Sequence, residues 1–407
     1  MAYQMDAGAQ RRLEEYYAEV GVALNNKKRR EAFAIYALGL FSELPRKSVE
    51  PIAAAFSGKA ERCSALHQKL LHFAAESPWS DREVRGVAAK HAIKAMAKRA
   101  PLHAWIFDDT GFLKQGKHSV GVKRQYTGSA GKVCNCQVGV TLVVANEYAH
   151  VPIDAELYLP EEWVNDPKRR REAGIPDEGV FKTKQELALE MFARAVDDEV
   201  PGDIVLADGD YGRSYELRTS VRAHGFDYGL GIHSSMRMWR MRRDGQRAGP
   251  VRSAAEIADS LPRSAFRCVT WREGTNEPLS SRFALCRVLL ARDGEIDAVE
   301  DEPVWLLVEK RGEDKPTTHY AITTLPRRMS RKQIVRLVKE RYRTEQAYEE
   351  MKTELGLDHY EGRSFRGWHH HVSVVFCCYA FVIGERMRRF PPSAAGEGSP
   401  DAQSLAA

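Results

Sequence analysis

The sequence predicts an α/β protein in which a helical N-terminal domain precedes a mixed sheet, and a mostly β segment interrupts that sheet. Three observations predict this fold class. Residues 10–98 carry apolar side chains at helical spacing almost throughout. From residue 102 the pattern changes to short runs of Val, Ile and aromatic residues between Gly-containing turns, which is typical of strands. Amphipathic helices then alternate with short apolar strands, and this alternation indicates parallel strands joined by crossovers.

These changes of pattern divide the chain into five segments. A chain of 407 residues, 43% of them apolar, can bury a sizeable core and is long enough for several domains. We expect a helical N-terminal domain (1–100), the first part of the sheet core (101–235), a β-rich insertion (236–325), the C-terminal part of the core (326–390) and a disordered tail (391–407).

Individual elements follow within the core. "AWIFDD", "SVGVKRQYT" and "CNCQVGVTLVVA" predict a meander of three successive strands. "KTKQELALEMFARAVDD" predicts a helix, "DIVLAD" a short buried strand, "SYELRTSVRAHG" a second helix and "DYGLGI" another strand. Residues 330–357 predict one long helix, and the apolar block 371–384 completes the core. Ser80 is placed to cap the last helix of the N-terminal domain.

The charge, cysteine content and hydropathy of the chain indicate which partners and which cell compartment to expect. The net charge of +5 is only mildly basic, which permits an anionic partner without demanding one. Seven cysteines, with no CxxC pair and no secretory N-terminus, predict reduced thiols in the cytoplasm. The longest apolar run, 372–384, is shorter than the roughly 20 residues that a membrane span needs, so we expect no membrane role.

Acidic residues follow two of the predicted strands. Asp108 and Asp109 end "AWIFDD", while Asp208 ends "DIVLAD" and Asp210 comes two positions later. Because ligands of α/β sheets bind at the carboxyl ends of the strands, these acids predict a functional site there. The alternative is that they are turn or helix-cap acids.

A third acid lies on the predicted long helix. Arg341, Glu345, Tyr348 and Lys352 are spaced by four, three and four residues, so they share one helix face. Oxygen ligands without nearby His or Cys suit Mg²⁺ or Mn²⁺. The alternative is that Glu345 is an exposed residue that only forms salt bridges.

At these residues the chain resembles the DDE insertion-sequence transposases, which have an RNase H-like core. The resemblance covers roughly residues 100–385 and rests on Asp109-Thr110, on Asp208 in "ADGDYG", and on the helix with Arg, three residues, Glu, six residues, Lys. The β-rich segment also looks like the strand insertion of that family, and "GLDHYEGRSFRGWHHHV" resembles the block that follows the signature helix. The family's signature begins with Tyr three residues before the Arg, whereas Val338 stands here.

The resemblance implies a function and a site. Asp109, Asp208 and Glu345 would hold two divalent metal ions, Mg²⁺ or Mn²⁺, that cleave the ends of a mobile element and join them to target DNA. Arg341 and Lys352 would hold backbone phosphates. We expect Asp108 and Asp210 to be neighbours of the ligands, either solvated or packed behind them. The N-terminal domain would recognise the terminal inverted repeats, and a homodimer is expected in the DNA complex.

Basic and aromatic residues extend the predicted DNA path. The run "RMWRMRRDGQR" contains a set that we call the insertion arginines: Arg237, Arg240, Arg242 and Arg243. Together with the basic stretch 326–343 they favour DNA binding, although a solvated face would show the same composition. Trp239 and Trp271 are candidates to stack on an unpaired base, with packing as the alternative.

Three other motifs have simpler explanations than a functional site. "GSAGK" at 128–132 lies between two strands and predicts a hairpin turn, not a phosphate loop. "CNC" at 134–136 has no second pair to complete a zinc site. His369, His370 and His371 lack metal-ligand spacing and predict helix-start or DNA-facing roles. Two other functions remain open: a domesticated DNA-binding protein without catalysis, and an RNase H-like nuclease without strand transfer.

Overall fold

Five helices form the N-terminal part of the chain in this computed structural model, which describes residues 6–177, 179–273, 277–292, 300, 302–312 and 317–389. The helices are α1 (Ala7–Leu24), α2 (Lys27–Phe41), α3 (Val49–Phe56), α4 (Ala60–Ala75) and α5 (Asp81–Ala97). Ser80 caps α5 as predicted, because its side chain accepts a hydrogen bond from Glu83 N at 3.1 Å. The predicted tail lies outside the described residues.

Six strands and four helices follow as the first part of the sheet core. They are β1 (Ala104–Leu113), β2 (Lys123–Thr127), β3 (Lys132–Ala145), β4 (His150–Tyr158), α6 (Glu161–Val164), α7 (Pro167–Ala173), α8 (Lys184–Asp197), β5 (Ile204–Ala207), α9 (Tyr215–Ala223) and β6 (Asp227–Ile232). The predicted three-strand meander was wrong in its strand count, because β4 was not recognised. It was also wrong in its pairing, because β1 pairs with β3 and β2 lies at the far end of β3.

The pairing of these strands gives the RNase H-like arrangement. The order is β4-β3-β1-β5-β6, in which β1, β3 and β4 are antiparallel while β5 and β6 run parallel to β1. The parallel strands are connected through helices, as the alternation in the sequence predicted. The expected fold class is therefore confirmed.

The β-rich segment extends the same sheet. Its elements are β7 (Arg237–Arg240), β8 (Arg252–Ser253), α10 (Ala254–Asp259), β9 (Arg267–Arg272), β10 (Leu279–Leu290), β11 (Val304–Arg311) and β12 (Thr317–Thr323). These strands pair antiparallel with one another, and β12 pairs antiparallel with β6. Within the residues that the structure describes, the insertion and the core thus share one sheet of twelve strands.

Three helices complete the described chain: α11 (Arg331–Lys339), α12 (Tyr342–Leu355) and α13 (Phe365–Arg389). The prediction of one long helix over 330–357 was wrong, because the chain turns between α11 and α12. Glu340 at this turn accepts hydrogen bonds from His103 Nε2 at 2.8 Å and Arg343 Nε at 3.2 Å. The contact with His103 joins this turn to a distant part of the chain, and periodicity alone does not reveal it.

Helix α13 is the centre of the hydrophobic core. It packs against α2, α4, α5 and β4, so the N-terminal helices and the sheet share one continuous apolar cluster. The three consecutive histidines lie in the first turns of α13, as the helix-start alternative predicted. They are buried, so the DNA-facing alternative was wrong. His370, for example, stacks on Trp79 and its two ring nitrogens contact the carbonyl oxygens of Ala74 and Trp79 at 3.0 Å. Within the described residues, no helix has the length and apolarity to cross a membrane.

Candidate active site

The acid pair lies inside β1, at the point where this strand loses a neighbour. We predicted that the strand ends at the acids, but β1 continues to Leu113. Its parallel pairing with β5 does stop at Phe107 and Ala207, directly before the acids. Asp208 directly follows the last paired residue of β5, as Asp108 follows the last paired residue of β1. The two acid-bearing segments therefore lie next to each other where the pairing of the strands ends.

Asp108 is buried, which excludes the solvated alternative and agrees with the alternative that it packs behind the predicted ligands. It is only 7% exposed, and its Oδ2 accepts a hydrogen bond from Arg341 Nη1 at 2.6 Å. Burial raises the pKa of Asp108 to about 7; Arg341 opposes the rise, while Asp208 and Asp109 add to it. Asp108 therefore belongs to the same electrostatic cluster as the predicted ligands.

Asp109 has a cationic partner that the sequence did not reveal. Lys184 Nζ lies 2.7 Å from Asp109 Oδ2, and both side chains are mostly buried. Burial alone would lower the pKa of Lys184, but Asp109 outweighs it, with help from Asp210 and Asp208, and the pKa is raised. The capping box at Thr183 makes Lys184 the first residue of α8 and can be recognised in the sequence, but the contact of Lys184 with Asp109 cannot.

Asp208 lies in a tight turn after β5. Its Oδ1 accepts a hydrogen bond from Asp210 N at 3.0 Å. Burial raises the pKa of Asp208, and the nearby charge of Asp109 raises it further. The turn passes so close to β6 that a Cβ at Gly231 would lie 2.8 Å from the carbonyl carbon of Asp208. Glycine at this position of β6 is therefore what allows the turn to pack there.

Glu345 joins the cluster through Arg341. Arg341 Nη2 donates to Glu345 Oε1 at 2.7 Å while Nη1 holds Asp108, so one guanidinium bridges β1 and α12. The Glu345 side chain is 60% exposed. The helix itself is anchored to β3 by a 2.6 Å hydrogen bond between the hydroxyls of Tyr348 and Thr141. The predicted helix face is therefore turned toward the acids of β1.

The predicted ligands share one end of the sheet but are not directed at one point. Among the described residues no group of three His, Cys, Asp or Glu side chains is arranged to hold a metal ion. Arg341 and Lys184 instead neutralise Glu345 and Asp109. The donor chemistry still fits a hard divalent cation, because the groups are carboxylates. Burial, and after it the charge of Asp109, raises the pKa of Asp208, and a bound cation would offset both effects.

The predicted DNA-binding residues differ in their surroundings. The insertion arginines are all exposed, and Arg237 also lies 3.6 Å from Glu256. Trp239 is buried at 7% exposure with the Arg247 guanidinium over its ring, so the ring is not open to an unpaired base in this structure. Lys352 Nζ contacts Thr110 Oγ1 at 2.7 Å.

A cleft of about 560 Å³ opens beside the acids. One end is lined by Asp208, Arg341 and Glu345, and the wall on the side of the insertion includes Trp271 and His319. Lys339 Nζ lies 4.3 Å from the centre of the Trp271 ring and also pairs with Glu309 of β11. The cleft thus joins the acid cluster to the β insertion.

Comparison with known proteins shows the family. The model for DDE superfamily endonucleases matches residues 19–278, and the model for the transposase DDE domain matches residues 182–381. The first match covers more than half of the chain, which therefore belongs to the DDE superfamily of endonucleases, and the resemblance seen in the sequence is confirmed.

The similarity to a curated relative covers less than half of either chain. The chain is 30% identical over 191 residues to the probable transposase for insertion sequence element IS701 of Microchaete diplosiphon, covering 47% of this chain and 45% of that protein. The cryo-EM structure of the piggyBac transposase synaptic complex with hairpin DNA is similar at a TM-score of 0.47 with 11% identity, covering 89% of this chain and 66% of the other. The crystal structure of the NurA nuclease from Sulfolobus solfataricus has a TM-score of 0.25 with 10% identity, covering 69% and 85%.

Proposed function

We propose that this chain is a metal-dependent DNA transposase that cleaves the ends of an insertion sequence and joins them to target DNA. The observation that carries the proposal is the meeting of acids from β1, the turn after β5 and α12 around Arg341, in a chain of the DDE superfamily. The transposase interpretation of the sequence requires acids on these three elements. The β1 acid that contacts Arg341 is Asp108, and the predicted ligand Asp109 is the next residue of the same strand.

Asp109, Asp208 and Glu345 would hold Mg²⁺ or Mn²⁺. Two such ions supply an activated water or DNA 3′-hydroxyl on one side of the phosphodiester and stabilise the leaving oxygen on the other. Before metal ions bind, Lys184 neutralises Asp109 and Arg341 neutralises Glu345. Both ion pairs must therefore open before the carboxylates can converge on a metal ion. Once released, each cation is free to pair with DNA phosphate.

The DNA would run from the acid cluster across the insertion. Arg341 and Lys352 would hold phosphates beside the cleaved bond, and the exposed insertion arginines would bind the backbone further along. Trp271 in the wall of the cleft is better placed than Trp239 to meet an unpaired base. The N-terminal helices would recognise the terminal inverted repeats, a homodimer would hold the two ends, and the reaction would take place in the cytoplasm.

The test is a cleavage and joining assay with labelled duplexes that carry the DNA flanking this gene, together with a target plasmid. The wild-type chain should cut the flanking ends in Mg²⁺ or Mn²⁺ but not in EDTA, and should join the cut 3′ ends to the plasmid. Asp208→Asn should bind but not cut. Cutting without joining would favour the nuclease, whereas binding without cutting by the wild type would favour a non-catalytic DNA-binding protein.

A further inference from the structure

The turn of the β2–β3 hairpin, residues 127–132, lies against the acid-bearing strand. We propose that this turn is a phosphate clamp for the DNA backbone, in which Ser129 positions Lys352 in the free protein and then donates to the phosphate that Lys352 binds. The proposal rests on the proposed function, since it assumes that DNA is the ligand of this edge. The sequence predicted only a hairpin turn here, and the structure contains that turn.

Glycine in β1 is what lets the turn close. A Cβ at Gly111 would lie 2.1 Å from Thr127 Oγ1, so the Thr127 side chain occupies the space that any other residue at position 111 would fill. Thr127 is 1% exposed. Because Gly111 is two residues after Asp109 on the same strand, the turn is held beside the predicted metal ligands.

Ser129 completes the closure from the tip of the turn. Its Oγ accepts a hydrogen bond from Gly111 N at 3.2 Å and another from Lys352 Nζ at 3.1 Å. It also lies 3.2 Å from Thr110 Oγ1. With both acceptor sites in use, the hydroxyl proton remains for Thr110 or for an outside acceptor. Ser129 is exposed, so an incoming phosphate oxygen can reach it.

Lys352 differs from the other cations of this edge. Its Nζ donates to Thr110 Oγ1, to Gly111 O at 3.0 Å and to Ser129 Oγ, which are all uncharged oxygens. Lys184 and Arg341 each form ion pairs with carboxylates. Lys352 forms no ion pair with any residue that the structure describes. The Lys352 ammonium is held in a fixed position by neutral oxygens, and the nearby acid Asp358 acts on its charge without forming an ion pair with it. A DNA phosphate would supply the direct countercharge.

These contacts define the clamp. A phosphate oxygen that approaches Lys352 would take the place of Ser129 Oγ as an acceptor, and the Ser129 hydroxyl would then donate to the same phosphate. Serine and lysine therefore act on one phosphate as a unit. Their effects on DNA binding should be coupled, while the neutral hydroxyl contributes no counterion release of its own.

The experiment measures binding of a fluorescein-labelled 30-base-pair duplex from the DNA flanking this gene, by anisotropy in EDTA, across a salt series. Ser129→Ala should weaken binding about threefold to tenfold, the range expected for one hydrogen bond, while Ser129→Thr keeps the hydroxyl and binds as the wild type does. Lys352→Ala should reduce the slope of log K against log salt by about 0.9, whereas Ser129→Ala leaves the slope unchanged. In the Lys352→Ala background, Ser129→Ala should have no further effect.

The matched control is Ser220→Ala, which removes a half-exposed hydroxyl on α9, a helix to which we assign no DNA contact, and should bind DNA as the wild type does. Thermal melting of each variant shows that it is folded. Wild-type affinity in Ser129→Ala, loss of affinity in Ser129→Thr, or additive effects of the two substitutions would overturn the clamp. Because binding is measured in EDTA, a chain that binds DNA with this coupling but never cuts it would contradict the proposed function and leave the clamp standing.

Discussion

Replacing Arg341 with alanine should destabilise the fold as well as impair DNA cleavage. Arg341 is the cation that bridges Asp108 and Glu345 in the structure. The Asp108 side chain is 9% exposed and that of Arg341 31%, so the contact between them is largely shielded from water. Its removal would leave Asp108 buried beside Asp208 and Asp109 without a countercharge.

The size of the effect follows from this burial. Removing one partner of a buried ion pair costs about 3–5 kcal/mol, because the other charge is left uncompensated. Asp108 can relieve part of that cost by taking up a proton, since its pKa is already raised to about 7. We therefore expect Arg341→Ala to lower the free energy of unfolding by about 2–3 kcal/mol. Asp108→Asn removes the uncompensated charge, so the double variant should recover about 1–2 kcal/mol relative to Arg341→Ala alone.

The assay is urea denaturation of the wild type, both single variants and the double variant at pH 7.5 in EDTA. The same proteins are then tested for binding and cleavage of end-containing DNA, where Arg341→Ala should weaken binding by about 1–3 kcal/mol if the guanidinium also holds a phosphate. Wild-type stability in Arg341→Ala, or strictly additive effects with Asp108→Asn, would refute the structural part of this reasoning.

Three further predictions concern the insertion, the buried charges and the signature helix. Alanine at all four insertion arginines should reduce the salt dependence of DNA binding, by nearly one unit of slope for each phosphate that the variant no longer binds, and an unchanged slope would show a solvated face only. Burial opposes the ionisation of Glu156, but its hydrogen bond with His369 and the charges of Arg194 and Arg85 outweigh it and lower the pKa to about 2. A carboxyl with a lowered pKa stabilises the fold above pH 4.5, and this contribution is lost as the pH falls toward 2. Glu156→Gln should therefore lower the free energy of unfolding by up to about 3 kcal/mol at pH 7. In denaturation experiments from pH 7 to 3, the stability of this variant should fall less steeply with pH than that of the wild type. Val338→Ala should lose only packing energy and should cleave DNA normally. If Val338→Ala failed to cleave DNA while Lys352→Ala cleaved it, the signature helix would be aligned out of register.

Local sequence patterns predicted the elements that are marked by a capping residue, an apolar run or a regular spacing of side chains. The cap of α5 at Ser80, the apolar strand before Asp208 and the strand content of the insertion could all be inferred from side-chain type and spacing. Strand β4 was missed because most of its residues are buried on both faces, so no alternation marks it. The order of strands in the core followed from the family resemblance, not from periodicity.

The site was predictable in its residue types but not in its partners. Successive residues of a strand face opposite sides, so Asp108 and Asp109 had to differ, but the sequence did not show which would be buried with Arg341. Lys184 is separated from Asp109 by 75 positions, and only the packing of α8 on the sheet brings them together. The break before α12 likewise depends on His103, which lies before β1.

The most direct test of the assignment of Glu345 as the third ligand is single-turnover cleavage of end-containing DNA in Mg²⁺ by Glu345→Gln and by Glu349→Gln. Glu349 is a matched control, because it is an exposed glutamate one turn further along α12. Glu345→Gln should bind the DNA end and fail to cut it, while Glu349→Gln should cut at the wild-type rate. Cleavage by Glu345→Gln at the wild-type rate would contradict the assignment of Glu345 and the three-carboxylate site built on it.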